Sequence, residues 1–433
     1  MQRRNFVKKL GMAAVGSMVL PYILPSGRLF AATGNRIANH VVFCLLAGGV
    51  RNIEAIQKSE GNLMPNMFPG SESISQDISG GMEPLPAPVL SSPLSTYGTL
   101  FREFRYGSGP PGHFQGHTTA ITGHYVTDSI SFNMPTKHPT IFEYYRKHNS
   151  PAQTALNSWW ISNGIGENEN LSFSLSYEYG SAYGANFLSP NYILPYGNYT
   201  PIDLCKTYTN DEKTRINNLR NFLNNSFNHK PQPLHANVEN PLSERETIQA
   251  FISQLINKQK AGHFNDPWNA GQAMNSDMYN VFFAGKVIQE FKPELLVVNM
   301  TDVDICHDNF TEYCNNLRKA DYAVGQLWSI IQNTPGMAND TILIVAPEHG
   351  RNLDGNSIVD SYGRHGIDHG DETAKEIFCL IAGPQGKVIQ NQVVSSVAGQ
   401  SIDIVPTIAR ILGFQQDIPS GYLTGSSLDQ AFV

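Results

Sequence analysis

The fold of this chain is decided by one stretch, Leu295–His307, which reads LLVVNMTDVDICH. Its first six residues are nearly all apolar, and a short apolar run bounded by polar residues is typical of a buried β-strand. The run is followed by Asp302, Asp304 and His307. Because ligands of open α/β sheets gather at the carboxyl ends of the strands, these three side chains are candidates for a functional site.

Two further apolar runs have the same kind of polar flank. Thr341–Ala346 is followed, and Ile377–Ala382 is preceded, by carboxylate, imidazole or guanidinium side chains. These are Glu348, His349 and Arg351 after the first run, and His365, Asp368 and His369 before the second. Three polar segments beside three predicted strands indicate one shared site.

The patterns between these runs favour helices. Apolar residues recur every three to four positions across 311–333, which is the spacing of an amphipathic helix. A second helix is predicted over Asp403–Leu412 and stops at Gly413, and His40–Leu46 is another apolar run that ends in glycines. Strands alternating with helices predict an α/β fold with a mostly parallel central sheet flanked by helices.

The middle of the chain is less regular. Residues 57–111 are rich in Ser, Gly and Pro and are predicted to be loop, and 118–127 a short helix start and turn. Two helices are predicted further along, over 243–260 and 275–291. The segment 150–270 is largely rich in Asn, Tyr, Ser and Pro, and we expect an irregular insertion or cap of a domain spanning 35–433.

The first residues have the pattern of an export signal. Arg3 and Arg4 precede a short apolar run over 10–24, and small residues follow, so 1–32 is predicted to direct export. The paired arginines resemble a twin-arginine signal, which implies a periplasmic or otherwise exported protein; an ordinary secretory signal is the alternative. The run is short and contains Pro21, so no stable membrane span is expected after signal removal.

Composition narrows the classes of partner. The 433-residue chain has 15% charged residues and a formal net charge of -7, without a Lys/Arg run beyond its first ten residues. Nucleic-acid binding is therefore not expected. An anionic substrate would need local positive charge, which a metal could supply.

The candidate site has mixed Asp, Glu and His side chains, which suit zinc, manganese or iron better than calcium. One such loop alone would be unremarkable, but three together favour a divalent metal, with zinc preferred. The candidate ligands are Asp302, Asp304, His307, Glu348, His349, His365 and His369. Asp368 is a candidate for orienting a ligand. His117 and His124 lie near His113 and could face the same site, but they are expected to be structural or surface residues.

Several motifs resemble those of a known family. Glu348–Arg351 (EHGR) followed by Gly366–Gly370 (GIDHG) is similar to paired motifs of the DUF1501 family in the alkaline phosphatase and sulfatase superfamily. His113-Phe114, followed by Thr122-Gly123, and the helix ending at Gly413 resemble the same proteins, which commonly begin with a twin-arginine signal. The resemblance implies an alkaline phosphatase-like fold and metal-dependent hydrolysis of phosphate or sulfate esters.

The resemblance also implies two metals beside a nucleophile. It places the first metal on Asp304 (or Asp302), His307 and His369, and the second on Glu348 and His349. The second metal of the superfamily also takes an early Asp and a hydroxyl nucleophile. This chain has Gly48, Gly49 and Arg51 at the first of these positions and His113 at the second.

Four alternatives remain open at this point. Water activated by a metal attacks the ester, with His113 or Glu348 as base and Arg51 or Arg351 stabilising charge. His113 acts as a covalent nucleophile. The protein binds a metal and a ligand or envelope partner without turnover, with Arg51 in place of the second metal's charge. In the fourth alternative, the protein is a sugar-binding module that contains no metal. The expected ligand is an anionic small molecule or a sugar ester, and tyrosines of the cap could stack on it.

Overall fold

The structure is a computed structural model, and the export signal predicted over 1–32 lies outside the residues that it describes. It describes residues 34–127, 136–149, 154–163, 169–172, Ser176, Tyr179, 182–194, 209–221, 241–270 and 273–433. Within these ranges, no helix is both long enough and apolar enough to cross a membrane.

The centre of the molecule is an eight-stranded sheet. Its strands are β1 (His40–Leu46), β2 (Gly98–Arg105), β3 (Ser158–Ile161), β4 (Asn186–Leu188), β5 (Leu295–Met300), β6 (Thr341–Pro347), β7 (Glu376–Ala382) and β8 (Gln392–Gln400). They lie in the order β4-β3-β5-β1-β6-β7-β2-β8. Only β7 pairs antiparallel to its neighbours among these strands, so the sheet is mostly parallel, as predicted.

Helices cover both faces of the sheet. In the described residues they are α1 (Asn52–Ala55), α2 (Gln76–Ser79), α3 (His113–Thr122), α4 (Ile141–His148), α5 (Asn210–Asn221), α6 (Leu242–Lys260), α7 (Ser276–Phe291), α8 (Phe310–Asn333) and α9 (Ile404–Ile411). The predicted helices over 243–260, 275–291, 311–333 and 403–412 are all present to within one or two residues.

The two hydrophobic cores follow from the two-residue period of a strand. Val42, Cys44 and Leu46 of β1 pack into one core with residues of α6, α7 and α8. The alternating residues of the same strand, among them Val41 and Phe43, pack into the other core with α3, α4 and α9. Both faces of β1 are therefore buried, which explains its continuous apolar run.

The reversed strand β7 decides where the site lies. Because β7 runs opposite to β6, the residues that precede β7 lie at the same edge as those that follow β1, β5 and β6. The loop containing His369 is thereby brought to the carboxyl ends of the other strands.

Four strands differ from the sequence-based expectation. The strand β2 lies inside 57–111, which was expected to be loop, and β8 was not expected. Two more, β3 and β4, lie inside the expected insertion over 150–270 and pair with the central sheet. These strands are short or interrupted by polar residues, so pairing with a neighbour rather than a local apolar pattern selects them.

Asp321 of α8 offers a test of how the loop after α1 is held. Its buried carboxylate accepts hydrogen bonds from the backbone N–H groups of Asn66 (2.9 Å) and Met67 (2.8 Å). Burial outweighs these bonds and raises the pKa of Asp321 to about 7. A raised folded-state pKa means that this group favours folding most below its unfolded pKa, near 4, and that the contribution is lost as pH rises to about 7.

We expect Asp321→Asn to flatten the pH dependence of the unfolding free energy between about pH 4 and 7. At neutral pH the variant should also be less stable by about 1–3 kcal/mol, because its amide NH₂ faces backbone donors. Urea unfolding at several pH values measures both effects, with exposed Asp354→Asn as the control. An unchanged pH slope in Asp321→Asn would contradict the assignment.

Candidate metal centre

Four segments meet at the carboxyl edge of the sheet. They are the first turn of α3, the 3₁₀ helix Asp302–His307 after β5, the loop after β6, and the loop before β7. Each supplies at least one imidazole or carboxylate to a common cluster of donor atoms. The members of this cluster are His113, Asp304, His307, Glu348, His349 and His369.

The first group of donors in this cluster contains three imidazoles and one carboxylate. The Nε2 atom of His113 lies 3.1 Å from Asp304 Oδ1 and 3.1 Å from His369 Nε2. The Nε2 atom of His307 lies 3.3 Å from Asp304 Oδ1. Residues three apart share a face of a 3₁₀ helix, which is why Asp304 and His307 point to the same place.

The second group also contains His113. Its Nδ1 atom lies 2.8 Å from Glu348 Oε1, while His349 Nε2 is 3.3 Å from the same oxygen and 3.4 Å from His113 Nδ1. Both Glu348 and His349 are fully buried. The two groups of donors are thus joined through the two nitrogens of one imidazole ring.

Three of the imidazoles are held in place through their Nδ1 atoms. His349 donates to the carbonyl oxygen of Gly350 (2.6 Å) and His369 to that of Pro111 (2.6 Å). His307 Nδ1 lies 2.7 Å from Asp368 Oδ1. A carbonyl oxygen can only accept, so Nδ1 of His349 and His369 carries the hydrogen and Nε2 presents a lone pair when the ring is neutral. Metal-binding histidines are commonly anchored in this way.

The electrostatics of the cluster favour a cation. Burial alone would lower the pKa of His113, but hydrogen bonds to Asp304 and Glu348 outweigh it and raise that pKa to about 10. Burial and the neighbouring imidazoles of His349 and His113 lower the pKa of His369 to about 3. Burial acts to raise the pKa of Asp304, yet bonds from His113 and His307 lower it. The ionised carboxylate of Asp304 and the unprotonated Nε2 atom of His369 therefore face the same centre, and the raised pKa of His113 shows that its place favours positive charge.

The donor set of the first group fits a divalent ion. For a tetrahedral site with bonds of about 2.0–2.1 Å, neighbouring ligand atoms are about 3.3 Å apart. The measured separations of 3.1, 3.1 and 3.3 Å are close to this value. Three imidazole nitrogens and one carboxylate oxygen suit zinc and other first-row divalent metals.

Arg351 is bound to the frame of the site. Its guanidinium is fully buried and donates to Asp304 Oδ1 (3.0 Å), to the carbonyl oxygens of Gly49 (3.1 Å) and Ile367 (2.7 Å), and to that of Gly48. These bonds join the loops after β1, β5 and β6 to the loop before β7. We assign Arg351 to holding Asp304, in place of the charge-stabilising role predicted for it.

Two predicted metal ligands lie outside the cluster. The carboxylate of Asp302 accepts a hydrogen bond from the backbone N–H of Asp277 (3.0 Å). In return, the carboxylate of Asp277 accepts one from the backbone N–H of Asp302 (3.1 Å). His365 is exposed and its Nδ1 bonds to Asn356 (2.7 Å). Asp302 precedes Asp304 by two positions and therefore leaves the 3₁₀ helix on another side. These placements correct the expectation that Asp302 and His365 are ligands.

Arg51 forms a two-bonded ion pair with Glu54, at 2.6 and 2.9 Å, and also donates to the carbonyl of Leu353 (2.7 Å). Its charge is therefore neutralised by a buried carboxylate rather than directed at the cluster. This placement corrects the expectation that Arg51 replaces the charge of a second metal or stabilises charge in the transition state.

Two glycines explain why no acidic side chain follows β1. Gly48 has φ +95° and Gly49 has φ +81°, in the region that favours glycine. A Cβ at Gly49 would lie 2.5 Å from His349 Nδ1, and one at Gly48 2.6 Å from the Asp304 nitrogen. Gly48 instead donates its N–H to Glu348 Oε1 (2.6 Å).

His117, expected to be a structural or surface residue, contacts the cluster. This buried residue, one helical turn after His113, places Nδ1 against Glu348 Oε2 and Nε2 3.1 Å from Asn299 Oδ1. Its spacing of four from His113 on a helix was the available signal. His124, by contrast, stacks on His138 and contacts Tyr422, away from the cluster.

The sheet and the cluster of imidazoles and carboxylates at its carboxyl edge define an α/β protein with a candidate metal centre. The sequence matches the profile of the type I phosphodiesterase / nucleotide pyrophosphatase family over residues 86–353, more than half of the chain. The chain belongs to this family. Membership confirms that the chain is a hydrolase of the predicted kind, while its relation to alkaline phosphatases and sulfatases and the narrower DUF1501 assignment stay predictions.

Solved structures with a similar fold include a protein of the alkaline phosphatase superfamily from Vibrio parahaemolyticus, with 12% identity, 95% of this chain and 76% of that chain covered, and TM-score 0.44. The lipoteichoic acid synthase LtaP from Listeria monocytogenes has 11% identity, coverage of 95% and 80%, and TM-score 0.45. Wild-type alkaline phosphatase PafA is 10% identical, and the match covers 92% of this chain and 99% of that chain with a TM-score of 0.47. No match was found among the curated proteins.

Proposed function

We propose that this protein is an exported, metal-dependent hydrolase of phosphate or sulfate esters. The observation that carries the proposal is the convergence of His113, Asp304, His307 and His369, with the last two imidazoles fixed through Nδ1 so that Nε2 faces the centre. Family membership supports ester hydrolysis, with phosphodiesters as the first substrates to test.

We propose zinc as the ion, held by these four side chains. A divalent ion at this place supplies positive charge to the ester oxygens and lowers the pKa of a water. The side chains fix the donor atoms beforehand, and the bonds from Arg351 keep Asp304 in position.

The surroundings of His113 favour attack by water over a covalent intermediate on this residue. Its Nδ1 faces Glu348 and its Nε2 faces Asp304 and His369, so both ring nitrogens are engaged within the cluster. A nucleophile needs an available lone pair directed at the substrate. His113 therefore acts as a ligand in this proposal.

His349 is the residue best placed to receive the proton of the attacking water. Burial lowers its pKa, and its Nδ1–H is committed to Gly350, so Nε2 is unprotonated. This nitrogen lies at the cluster, 3.4 Å from His113 Nδ1. General-base catalysis by a neutral imidazole is the ordinary role of histidine at this position.

A neighbouring cavity of about 520 Å³ offers room for the group esterified to the anion. Its walls include Ile367 and Phe310, two and three positions from His369 and His307. The two arginines in the wall are each paired with a carboxylate, Arg51 with Glu54 and Arg364 with Glu60. Paired cations do not select a second anionic group, so we propose a neutral sugar or aryl group as the occupant.

Half-exposed Tyr362 lies in the wall of this cavity, and we expect Tyr362→Ala to raise KM for an aryl phosphodiester. Loss of about 1 kcal/mol of aromatic contact corresponds to about a fivefold increase, with kcat little changed. Steady-state kinetics measure this, and Val393→Ala on the edge strand β8 is the exposed control. An unchanged KM would place the neutral group elsewhere.

The function is tested with purified protein loaded with zinc, manganese or iron and assayed on an aryl phosphate, an aryl phosphodiester and an aryl sulfate. Turnover of at least one of them that chelator abolishes and metal restores supports the proposal. Tight metal binding without turnover of any substrate would contradict it.

That last result would favour a second candidate, a metal-containing binding or envelope protein. The specific observation behind it is the replacement of the usual acidic and hydroxyl residues by Gly48, Gly49 and His113. A sugar-binding module without metal would show no change of melting temperature with chelator, because a bound ion stabilises the folded state by mass action.

Export through the twin-arginine pathway completes the proposal and rests on the residues around Arg3 and Arg4. Cell fractionation of the native chain and of the Arg3→Lys, Arg4→Lys double variant tests it. Export that does not depend on the two arginines would indicate an ordinary secretory signal.

A further inference from the structure

The imidazole of His113 determines how many ions the centre can hold, because it belongs to both groups of donors. If Glu348 and His349 ligate a second ion, His113 Nδ1 must be its third ligand. If only one ion is bound, Nδ1 of His113 carries a hydrogen and Glu348 accepts it.

The distance between the two atoms favours the hydrogen bond. His113 Nδ1 and Glu348 Oε1 are 2.8 Å apart, which is the length of a charge-assisted hydrogen bond. Two ligands of one tetrahedral ion with bonds of about 2.0–2.1 Å would be about 3.3 Å apart. Of the three separations in the second group, only this one falls short of that value, since His349 Nε2 lies 3.3 Å from Glu348 Oε1 and 3.4 Å from His113 Nδ1.

The oxygen of Glu348 that faces His113 is already occupied. Oε1 accepts the Gly48 N–H at 2.6 Å in addition to His113 Nδ1, and Oε2 lies against His117 Nδ1. His117 is itself held by Asn299, whose Nδ2 atom donates to Ser162 Oγ (3.1 Å). Oε1 therefore has two donors, whereas Oε2 faces His117 Nδ1 without hydrogen-bond geometry, because that nitrogen also lies 2.8 Å from the carbonyl oxygen of His113.

A second carboxylate in the site has the same relation to its histidine. Asp368 Oδ1 lies 2.7 Å from His307 Nδ1 and also accepts from Asn356 Nδ2 (3.0 Å). A carboxylate on Nδ1 orients the ring and strengthens Nε2 as a ligand. Glu348 and His113 repeat this arrangement on the other side of the first group.

The fixed charges also suit one ion better than two. Asp304, Glu348 and Asp368 contribute three negative charges, and the buried guanidinium of Arg351 already offsets one of them. Glycines occupy the place after β1 where a further carboxylate would have to stand, and neither has room for a side chain. A second divalent ion would leave a large positive charge buried without counter-charge.

We propose that the centre holds one divalent ion per chain, ligated by His113, His307, His369 and Asp304, and that Glu348 is a positioning residue for His113 rather than a ligand. The inference rests on the metal-binding part of the proposed function and adds to it the number of ions and the role of Glu348.

The test is metal content by elemental analysis of the full-length folded protein after saturation with zinc and removal of loosely bound ions. One zinc per chain is expected. Glu348→Gln and Asp368→Asn form a matched pair, and each should retain one zinc with about 10–100-fold weaker affinity. Asp304→Ala, which removes a ligand, should retain none. Circular dichroism verifies that each variant is folded.

Cobalt substitution gives a second readout, since the visible absorption of cobalt(II) reports its ligands. The spectrum of Glu348→Gln should match that of the unchanged chain, whereas His307→Ala should alter it. Two ions per chain, or a changed cobalt spectrum in Glu348→Gln, would overturn the inference. One ion per chain without ester turnover would contradict the proposed hydrolase function but not this inference. Two ions per chain with turnover would contradict this inference but not the proposed function.

Discussion

Replacing His369 by alanine should remove the metal from the centre and with it ester hydrolysis. His369 contributes one of four donors, its Nδ1 is fixed on Pro111, and burial and neighbouring imidazoles lower its pKa to about 3, so its Nε2 is available to a cation at neutral pH. A bound ion supplies several kcal/mol of transition-state stabilisation, so we expect turnover to fall about a thousandfold or more. Elemental analysis and kcat/KM measure the two effects.

His365→Ala is the matched control for this experiment. His365 lies four residues earlier in the same loop, is exposed, and bonds to Asn356 outside the cluster. It should leave metal content unchanged. A His369→Ala variant that keeps its zinc, or a His365→Ala variant that loses it, would show that the cluster is assigned to the wrong residues.

Arg351→Met should have the largest effect on stability. The change leaves the carbonyl oxygens of Gly48, Gly49 and Ile367 without their buried donor and leaves Asp304 without its counter-charge. Because the Asp304 end of the pair is partly exposed, the cost arises mainly from the buried carbonyl oxygens left without a donor, together about 3 kcal/mol. We expect a loss of that size in the unfolding free energy, measured by denaturant titration of the metal-free protein.

The control for this variant is Arg410→Met. Arg410 is partly exposed and lies 3.7 Å from Asp429, so its removal should change stability by less than about 1 kcal/mol. If Arg351→Met is no less stable than Arg410→Met, the guanidinium does not hold the site together. Loss of zinc affinity in Arg351→Met is expected as well, since Asp304 is then free to move.

The strands that carry the site could be predicted because they are buried on both faces. The residues of β1, β5 and β6 form continuous apolar runs, and such runs are visible without knowledge of their neighbours. The edge strand β8 has an exposed, mixed sequence, and β3 and β4 are only four and three residues long. For these strands the decisive interaction is pairing with a partner distant in the chain.

The same distinction applies within the site. Five members of the cluster could be predicted from sequence because each lies beside a predicted strand at the functional edge: Asp304, His307, Glu348, His349 and His369. Asp302 and His365 were predicted to be ligands for the same reason. In the structure the 3₁₀ helix turns the side chain of Asp302 towards Asp277, and the loop before β7 places His365 against Asn356. Sequence proximity does not specify the direction of a side chain.

The sequence by itself determined the class of fold, the edge of the sheet that carries chemistry, and the kinds of donor present. These depend on local properties, namely apolar periodicity and the residue types that follow each strand. Only the tertiary structure decided that His113 joins this cluster, that Glu348 faces His113 and His117, and that Arg351 rather than Arg51 lies against Asp304. These relations connect segments more than two hundred residues apart, or depend on which way a side chain leaves the backbone, and such contacts exist only once the sheet has assembled.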